Sequence, residues 1–352
     1  MRTISKVLCM IAAAAMIGCS DPAPQNKQDS GQAEPQDQKK KEPPVFSLFK
    51  QYDKSGYQLY HNSNKLATIA IDDNREVLAM KTYKGCAYLL ISQLASDTAI
   101  IQPSEIYKNG RPAMTFDSSF AAIDMVIYEG HFYVMGKKGS SDTIMVYRDG
   151  IEELAMQADH RKACKLGTFR QDIYVAFQKG DSVEITRNGN VISSMAGQCR
   201  GFDVSHMGYY TLTDSEVYRD RDRIMKHEYY RHSDKELFAD PMYISLDNAN
   251  CYVGSQAQLD AQHYYGAVFR NNEAFLTIRP DNKNLGQSDI LTRCVGVSSC
   301  GDGCCYSASY LTDINGRQLT PTTFDFYYNS NKVFSIDFVD TEAKLLFLKA
   351  DQ

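Results

Sequence analysis

Three groups of side chains in this chain have types and spacings from which chemistry could be built. Asp124, Asp203 and Asp337 lie in or beside apolar runs such as Ala122-Ile123-Asp124-Met125-Val126 and Gly201-Phe202-Asp203-Val204. Carboxylate oxygens suit hard cations, so acids gathered around a water-filled channel could hold Ca2+. The same acids could instead accept backbone N–H groups, a common fate of a buried carboxylate. A calcium ion takes about six to eight oxygens, which favours the second use. No other cofactor is expected.

Cys300, Cys304 and Cys305, with Cys294 nearby in sequence, form the second group. A Cys300 to Cys304 disulfide would close a short hairpin, and an exported chain lives where such bonds form. Zinc sites usually want about four ligands, often in two pairs, which the irregular C-x3-C-C does not offer, so no metal is expected. Cys86, Cys164, Cys199 and Cys251 fall in separate stretches and read as isolated buried side chains. The third group is Arg219-Asp220-Arg221-Asp222-Arg223 with Lys226, His227, Tyr229, Tyr230 and Arg231. It could grip an acidic surface, but its alternating charges largely cancel and read as a solvated hairpin tip.

Catalytic signatures are near misses. His227-Glu228-Tyr229-Tyr230-Arg231-His232 has one residue too many between its histidines for a zinc-protease helix and lies in a strand context, so it reads as an outer strand. Gly130 to Gly136-Lys137-Lys138 has five intervening residues and no Ser or Thr after the first lysine, so it is not a phosphate loop. No Gly-x-Ser-x-Gly elbow occurs.

The N-terminus carries an address. Met16-Ile17-Gly18-Cys19 closes an apolar run, Val7 to Ile17, that follows Arg2 and Lys6. The run is far shorter than the about 20 residues of a membrane span, and it fits a cleaved signal with Cys19 as the acylated residue. More than one acyl chain on Cys19 would give stable anchoring. Residues 20 to 44 contain no Val, Ile, Leu, Phe or Tyr, so they cannot bury enough apolar surface to order themselves and read as a tether. The expected organisation is a signal peptide over 1–18, acylated Cys19 and tether over 19–45, and one folded domain over 46–352. The formal net charge of −5 argues against a nucleic-acid partner.

The elements that must position these residues appear as repeats. A small or acidic column in apolar-flanked runs comprises Ala79, Asp124, Gly167, Asp203, Ser245, Gly296 and Asp337, spaced 45, 43, 36, 42, 51 and 41 residues apart. Seven to ten residues after each comes Tyr88, Tyr133, Tyr174, Tyr210, Tyr252, Tyr306 and finally Leu346. A third column precedes hairpin signals, clearest at Tyr107-Lys108-Asn109-Gly110, Tyr147-Arg148-Asp149-Gly150 and Thr186-Arg187-Asn188-Gly189. Weaker copies are Tyr218 to Arg221, Phe269 to Asn272, Asp313 to Gly316 and, before all others, Tyr60 to Ser63. Units of about 40 to 45 residues with period-2 alternation match four-stranded propeller blades. The fold expected is all-β: a seven-bladed propeller of four-stranded antiparallel blades. On this phase the last blade takes two strands from Val333 to Val339 and Lys344 to Lys349, and the hairpin Tyr57 to Ile71 completes it, closing the ring.

This pattern resembles seven-bladed β-propellers, in particular lipid-anchored propellers of unknown function in Bacteroidota, and Ser20-Asp21 after the cysteine resembles the start of their outer-membrane lipoproteins. The Trp-Asp of WD repeats, the paired glycines of kelch repeats and the Asp-box of sialidases are absent, and there is no tryptophan to form a quinone-docking motif. The resemblance implies an outer-membrane lipoprotein, at the cell surface or on the periplasmic face, with a non-enzymatic binding or scaffold role toward a protein or glycan through one propeller face, as a monomer. The alternative is a glycan-active lyase or hydrolase using carboxylates on the loop-rich face, where insertions are expected at Ser92 to Ser104, Gly254 to Tyr265 and Ile278 to Arg293. Replacing Cys19 with alanine should move the protein from the membrane fraction to the soluble fraction on ultracentrifugation; retention on membranes would count against acylation.

Overall fold

The computed structural model describes residues 42–351 apart from 52–55, 73, 94–101, 140, 215, 227–228, 233–234, 248, 261–262, 279–289, 302, 314–316, 320 and 340–341; side chains are described outside 226–241, 256–265 and 290–291. Cys19 and most of the tether therefore lie outside the described residues. From residue 41 onward the chain is one compact unit, entirely of strands among the described residues.

The chain opens with β1 (Val45–Gln51), β2 (Tyr57–His61) and β3 (Asn64–Ile69). Blade 1 follows as β4 (Arg75–Tyr83), β5 (Cys86–Gln93), β6 (Glu105–Lys108) and β7 (Arg111–Thr115). Blade 2 is β8 (Phe120–Tyr128), β9 (His131–Lys138), β10 (Thr143–Arg148) and β11 (Ile151–Gln157). Blade 3 is β12 (Lys162–Phe169), β13 (Asp172–Lys179), β14 (Ser182–Arg187) and β15 (Asn190–Ala196). Blade 4 is β16 (Gly201–Ser205), β17 (Gly208–Leu212), β18 (Glu216–Arg219) and β19 (Asp222–Lys226). Blade 5 has five strands, β20 (Tyr229–His232), β21 (Lys235–Leu246), β22 (Cys251–Asp260), β23 (His263–Arg270) and β24 (Glu273–Ile278). Blade 6 is β25 (Ile290–Ser299), β26 (Cys305–Asp313), β27 (Thr322–Tyr328) and β28 (Asn331–Phe338). The last strand, β29 (Ala343–Ala350), joins β1, β2 and β3 to make blade 7.

Every blade is antiparallel; the inner strand is β4, β8, β12, β16, β21, β25 or β29, and strands are counted outward from it. Each of these inner strands touches that of the next blade, from β4 through β8, β12, β16, β21 and β25 to β29, and β29 touches β4. The circle is closed, so the inner edge of each blade faces its neighbours around the axis and not another molecule.

One local device recurs in all seven blades. The turn between the third and fourth strands begins with Asn62, Asn109, Asp149, Asn188, Asp220, Asn271 or Asn329, each at a φ of 49–54°. Asn and Asp tolerate this left-handed conformation better than other side-chain-bearing residues. Their Oδ1 atoms accept the backbone N–H of Val45, Ala87, Phe132, Ile173, Tyr209, Cys251 and Cys305, respectively, at 2.8–3.2 Å. Their own N–H groups donate to the carbonyls of those same residues at 2.8–2.9 Å. The turn is thus clamped to the second strand of its blade.

The residue after each clamped one is the column aromatic: Phe46, Tyr88, Tyr133, Tyr174, Tyr210, Tyr252 or Tyr306. In blades 1 to 5 it pairs with a cation on the third strand, and Lys108, Arg148 and Arg187 lie 5.8–5.9 Å from the ring centroids of Tyr88, Tyr133 and Tyr174. Phe46 stacks on His61 at 4.6 Å in blade 7.

The ring closes through the chain ends as expected, but the strands are divided differently. Blade 7 takes three strands from the N-terminus and one from the C-terminus, with β1 paired between β29 and β2. Residues 333 to 339 do not begin an inner strand; Val333 to Phe338 belong to β28, the outermost strand of blade 6. The seventh column aromatic is therefore Phe46 in place of Leu346. The shift arises because a hairpin signal reads alike at any turn of a blade: Asp313 ends the second strand of blade 6, whereas its clamped turn is at Asn329. Phe49 of β1 cements the closure, with ring centroids 4.9, 6.4 and 5.0 Å from Phe324, Phe326 and Phe338 of blade 6. Tyr306 adds a hydrogen bond from its hydroxyl to the Pro43 carbonyl at 2.8 Å.

One expected loop changes character: Gly254 to Tyr265 is largely the extended β22–β23 hairpin. Tyr229 to His232 form a strand as expected, β20, at the sheet edge alongside the leading part of β21. His227 and Glu228, and most of 92–104 and 278–293, lie outside the described residues.

If the clamp sets the turn, Asn188→Ala should lose both its hydrogen bond and its tolerance of positive φ, about 2 kcal/mol together. Asn188→Gly should lose about half as much, because glycine keeps the conformation. Urea unfolding midpoints of the two variants check the order.

Candidate functional site

The inner strands converge on a cavity of about 490 Å³ at the face carrying the turns between first and second strands. Register fixes what points there. Lys81, Val126, Gly167, Asp203, Ser245 and Ser298 each sit directly across a strand pair from the column tyrosine, and Lys349 sits across from Phe46. All seven line the cavity, so each blade contributes one residue at this level.

Crowding and hydrogen bonding explain the small residues among them. A Cβ on Gly167 would lie 2.4 Å from Val204 Cγ2 and 2.8 Å from Phe202 Cε1 of the next blade, so nothing larger fits. Side chains also tie neighbouring inner strands through backbone groups. Thr82 Oγ1 donates to the Ala350 carbonyl at 2.7 Å, Ser298 Oγ accepts from Ala350 N at 2.9 Å, and Ser245 Oγ accepts from Ser299 N at 3.0 Å.

The acidic trio is not gathered at one place. Asp124 is buried, with Oδ1 accepting from Met125 N and Oδ2 from Leu166 N of blade 3, both at 2.9 Å. Asp203 reaches the cavity and accepts from Val204 N at 2.9 Å. Asp337 is exposed on β28 and accepts from Thr323 Oγ1 at 2.7 Å. The other large acid at the mouth, Asp247, accepts from Ala249 N and Asn250 N at 2.7 Å and so shapes its own turn. Among the described residues no three His, Cys, Asp or Glu side chains group as metal ligands. These donors do not fit a channel Ca2+, since lysines share the space.

The column in the sequence mixed two levels. Ala79, Asp124 and Gly296 directly follow a bulge in the inner strand, whereas Gly167, Asp203 and Ser245 stand one step nearer the cavity, paired with the tyrosine. Counting back seven residues from each column tyrosine would have found Lys81. Lys349 could not be found that way, because its aromatic partner Phe46 is at the other end of the chain.

Among the residues lining the cavity, Lys81 and Lys349 are the lysines, and no carboxylate of the described residues lies within ion-pair distance of either. They come from adjacent inner strands, and they repel. Burial first, then the Lys81 charge, pushes Lys349 down to about 8, while Asp203 and Asp124 pull the other way. Beside them, Tyr128 and Phe169 line the mouth with their rings 6.0 Å apart, and Arg170 lies 5.3 Å from the Phe169 ring. The cavity therefore presents two ammonium groups, an aromatic edge and one available carboxylate.

Cys300 and Cys304 flank the turn between β25 and β26, with Cys300 N donating to the Cys304 carbonyl at 3.0 Å. Cys300 and Gly301 reach the cavity rim. The Arg219 to Arg223 stretch is the β18–β19 hairpin, solvated as expected, with Arg223 paired to Glu216 at 2.8 Å.

No protein-family model and no curated protein sequence matches the chain. Solved structures do align over most of its length. Apo AztD from Citrobacter koseri is 10% identical, with 88% of this chain and 98% of that chain covered and a TM-score of 0.42. The Pan2 WD40 domain of Neurospora crassa is 10% identical, covering 85% and 98%, with a TM-score of 0.43. BBS1N in complex with ARL6DN is 9% identical, covering 78% and 85%, with a TM-score of 0.46. At these identities the likenesses are of fold alone.

A lysine whose pKa falls on folding destabilises the fold while it is charged. Stability from Lys349 should therefore rise with pH between about 8 and the ordinary lysine value of 10.5. Lys349→Met should raise the melting temperature at pH 7, with the gain vanishing by about pH 10. A lower melting temperature at pH 7 would mean that Lys349 is paired in the fold.

Proposed function

We propose that this protein is a membrane-tethered binding protein whose channel mouth takes an anionic group, carboxylate or phosphate, carried on a glycan. The observation that carries the reading is the pair Lys81 and Lys349, held side by side in a roughly 490 Å³ cavity. Ammonium groups placed this way destabilise the empty protein and are relieved by an anion, which is the signature of a binding site rather than of a structural charge. A cavity of that size suits a small ligand or one or two sugar units of a longer chain. The Tyr128–Phe169 edge supplies an apolar platform beside the charges, as an anionic sugar would need.

Binding fits the site better than catalysis. Glycoside hydrolysis ordinarily needs two carboxyl groups facing one bond, and here Asp124 and Asp247 are spent on backbone amides, which leaves Asp203. On the opposite face, Glu105 is paired with Arg75 at 2.7 Å, and Glu184 with Arg161 and Lys179 at 3.2 and 2.9 Å. The acylated Cys19 and its tether would hold the propeller at the outer membrane, as a monomer, on whichever side the glycan is presented.

The test is binding to immobilised glycans that carry uronic acids or phosphate, against neutral glycans of the same length. The expected result is selective retention of the anionic set, a loss of at least about tenfold in the Lys81→Gln, Lys349→Gln double variant, and weaker binding above about pH 8. Retention of anionic and neutral glycans alike, unchanged in the double variant, would overturn the reading.

A further inference from the structure

Cys164 and Cys199 were expected as isolated buried side chains in separate repeats; the fold brings them together. Cys164 is the extra residue of the bulge between Ala163 and Lys165 on β12. Cys199 lies in the connection from β15 to β16, where its N–H donates to Gln178 Oε1 at 2.8 Å. Gln178 in turn donates from Nε2 to the carbonyls of Gly180, Ser182 and Gly197 at 2.7, 3.0 and 3.1 Å, so Cys199 is pinned over its own blade. Both thiols are half-buried, not sealed, and both sit at Gln178: Cys164 Sγ donates to the carbonyl of Lys162, which is paired with Gln178 across the strands, at 3.2 Å, and Cys199 is held by the Gln178 side chain.

The surroundings set the pair apart from the deeper cysteines. The hydrogen bond from Cys199, the Gln178 backbone amide and the Lys162 and Lys165 charges outweigh burial and bring the Cys164 thiol down to about 6. Its partner Cys199 is pushed up by the same hydrogen bond and by burial. Burial, helped by the Asp203 charge, pushes Cys251 up to about 12, and burial outweighs backbone hydrogen bonds to push Cys294 up to about 11. One accessible thiolate beside one protonated thiol is the arrangement of a dithiol exchange site.

We propose that Cys164 and Cys199 are a redox-active pair that closes to a disulfide, stapling the inner strand of blade 3 to the connection entering blade 4. The oxidant is a disulfide, either of low molecular weight or on a thiol oxidase. The Cys164 thiolate attacks one sulfur of that disulfide, and the other sulfur leaves as a thiolate. The Cys199 thiol then loses its proton, its sulfur attacks Cys164 Sγ, and the second donor sulfur leaves. Two electrons pass from the pair to the oxidant, which ends as two thiols. The staple encloses one whole blade in a covalent loop and does not depend on the anchor or on the channel ligand.

The experiment is oxidation of the full chain with glutathione disulfide at pH 7, followed by alkylation, non-reducing digestion and peptide mass spectrometry. A Cys164–Cys199 linked peptide is expected, with a melting temperature raised by at least about 3 °C, reversed by dithiothreitol and absent in Cys164→Ser. In the unmodified protein, alkylation of Cys164 should rise with a midpoint near pH 6. A persistent glutathione adduct on Cys164 with Cys199 still open to alkylation would overturn the proposal, as would linkage confined to Cys300 and Cys304.

Discussion

The rest of the propeller depends on the Asn/Asp clamp between the turn and the second strand of each blade. By accepting one backbone N–H and donating to the carbonyl of the same residue, the clamp fixes where the outer hairpin lies against its neighbour. Strand register has period two, so an error of one residue would turn every side chain to the wrong face. With the register fixed, the column aromatic lies under its cross-strand cation, and the residue opposite it on the inner strand points to the channel. A short polar side chain at the rim thus decides what lines the axis.

Closure is the second constraint. β1 pairs with β2 along one edge and with β29 along the other, and Phe49 packs on Phe324 and Phe338 of the preceding blade. That couples the two ends of the folded unit into one cooperative element, and it removes the exposed edge on which such sheets otherwise associate.

The channel shows how function competes with stability in such a ring. Most inner-strand polar groups are absorbed by ties between blades, as Asp124, Ser245 and Ser298 show. Lys81 and Lys349 are not, and burial, followed by the Lys81 charge, lowers the pKa of Lys349. A residue that destabilises the fold and faces a cavity has a claim to function that a satisfied aspartate lacks.

The sequence by itself determined whatever depends on residues close along the chain: period-2 strands, Asn-Gly and Asp-Gly turns, the tyrosine column and hence the number of blades. These features are set by φ preferences and by alternation across a pleat, which act over a few residues. Asp124 as an amide acceptor was legible for the same reason that buried acids seek donors. Tertiary structure decided the rest. The phase of the last blade, the place of Asp337 on an outer strand, the Lys81–Lys349 pair and the meeting of Cys164 with Cys199 all depend on contacts between distant parts of the chain or across a blade boundary. Such contacts are made by ring closure and by a bulge that shifts register by one residue, and neither leaves a local mark on the residues it brings together.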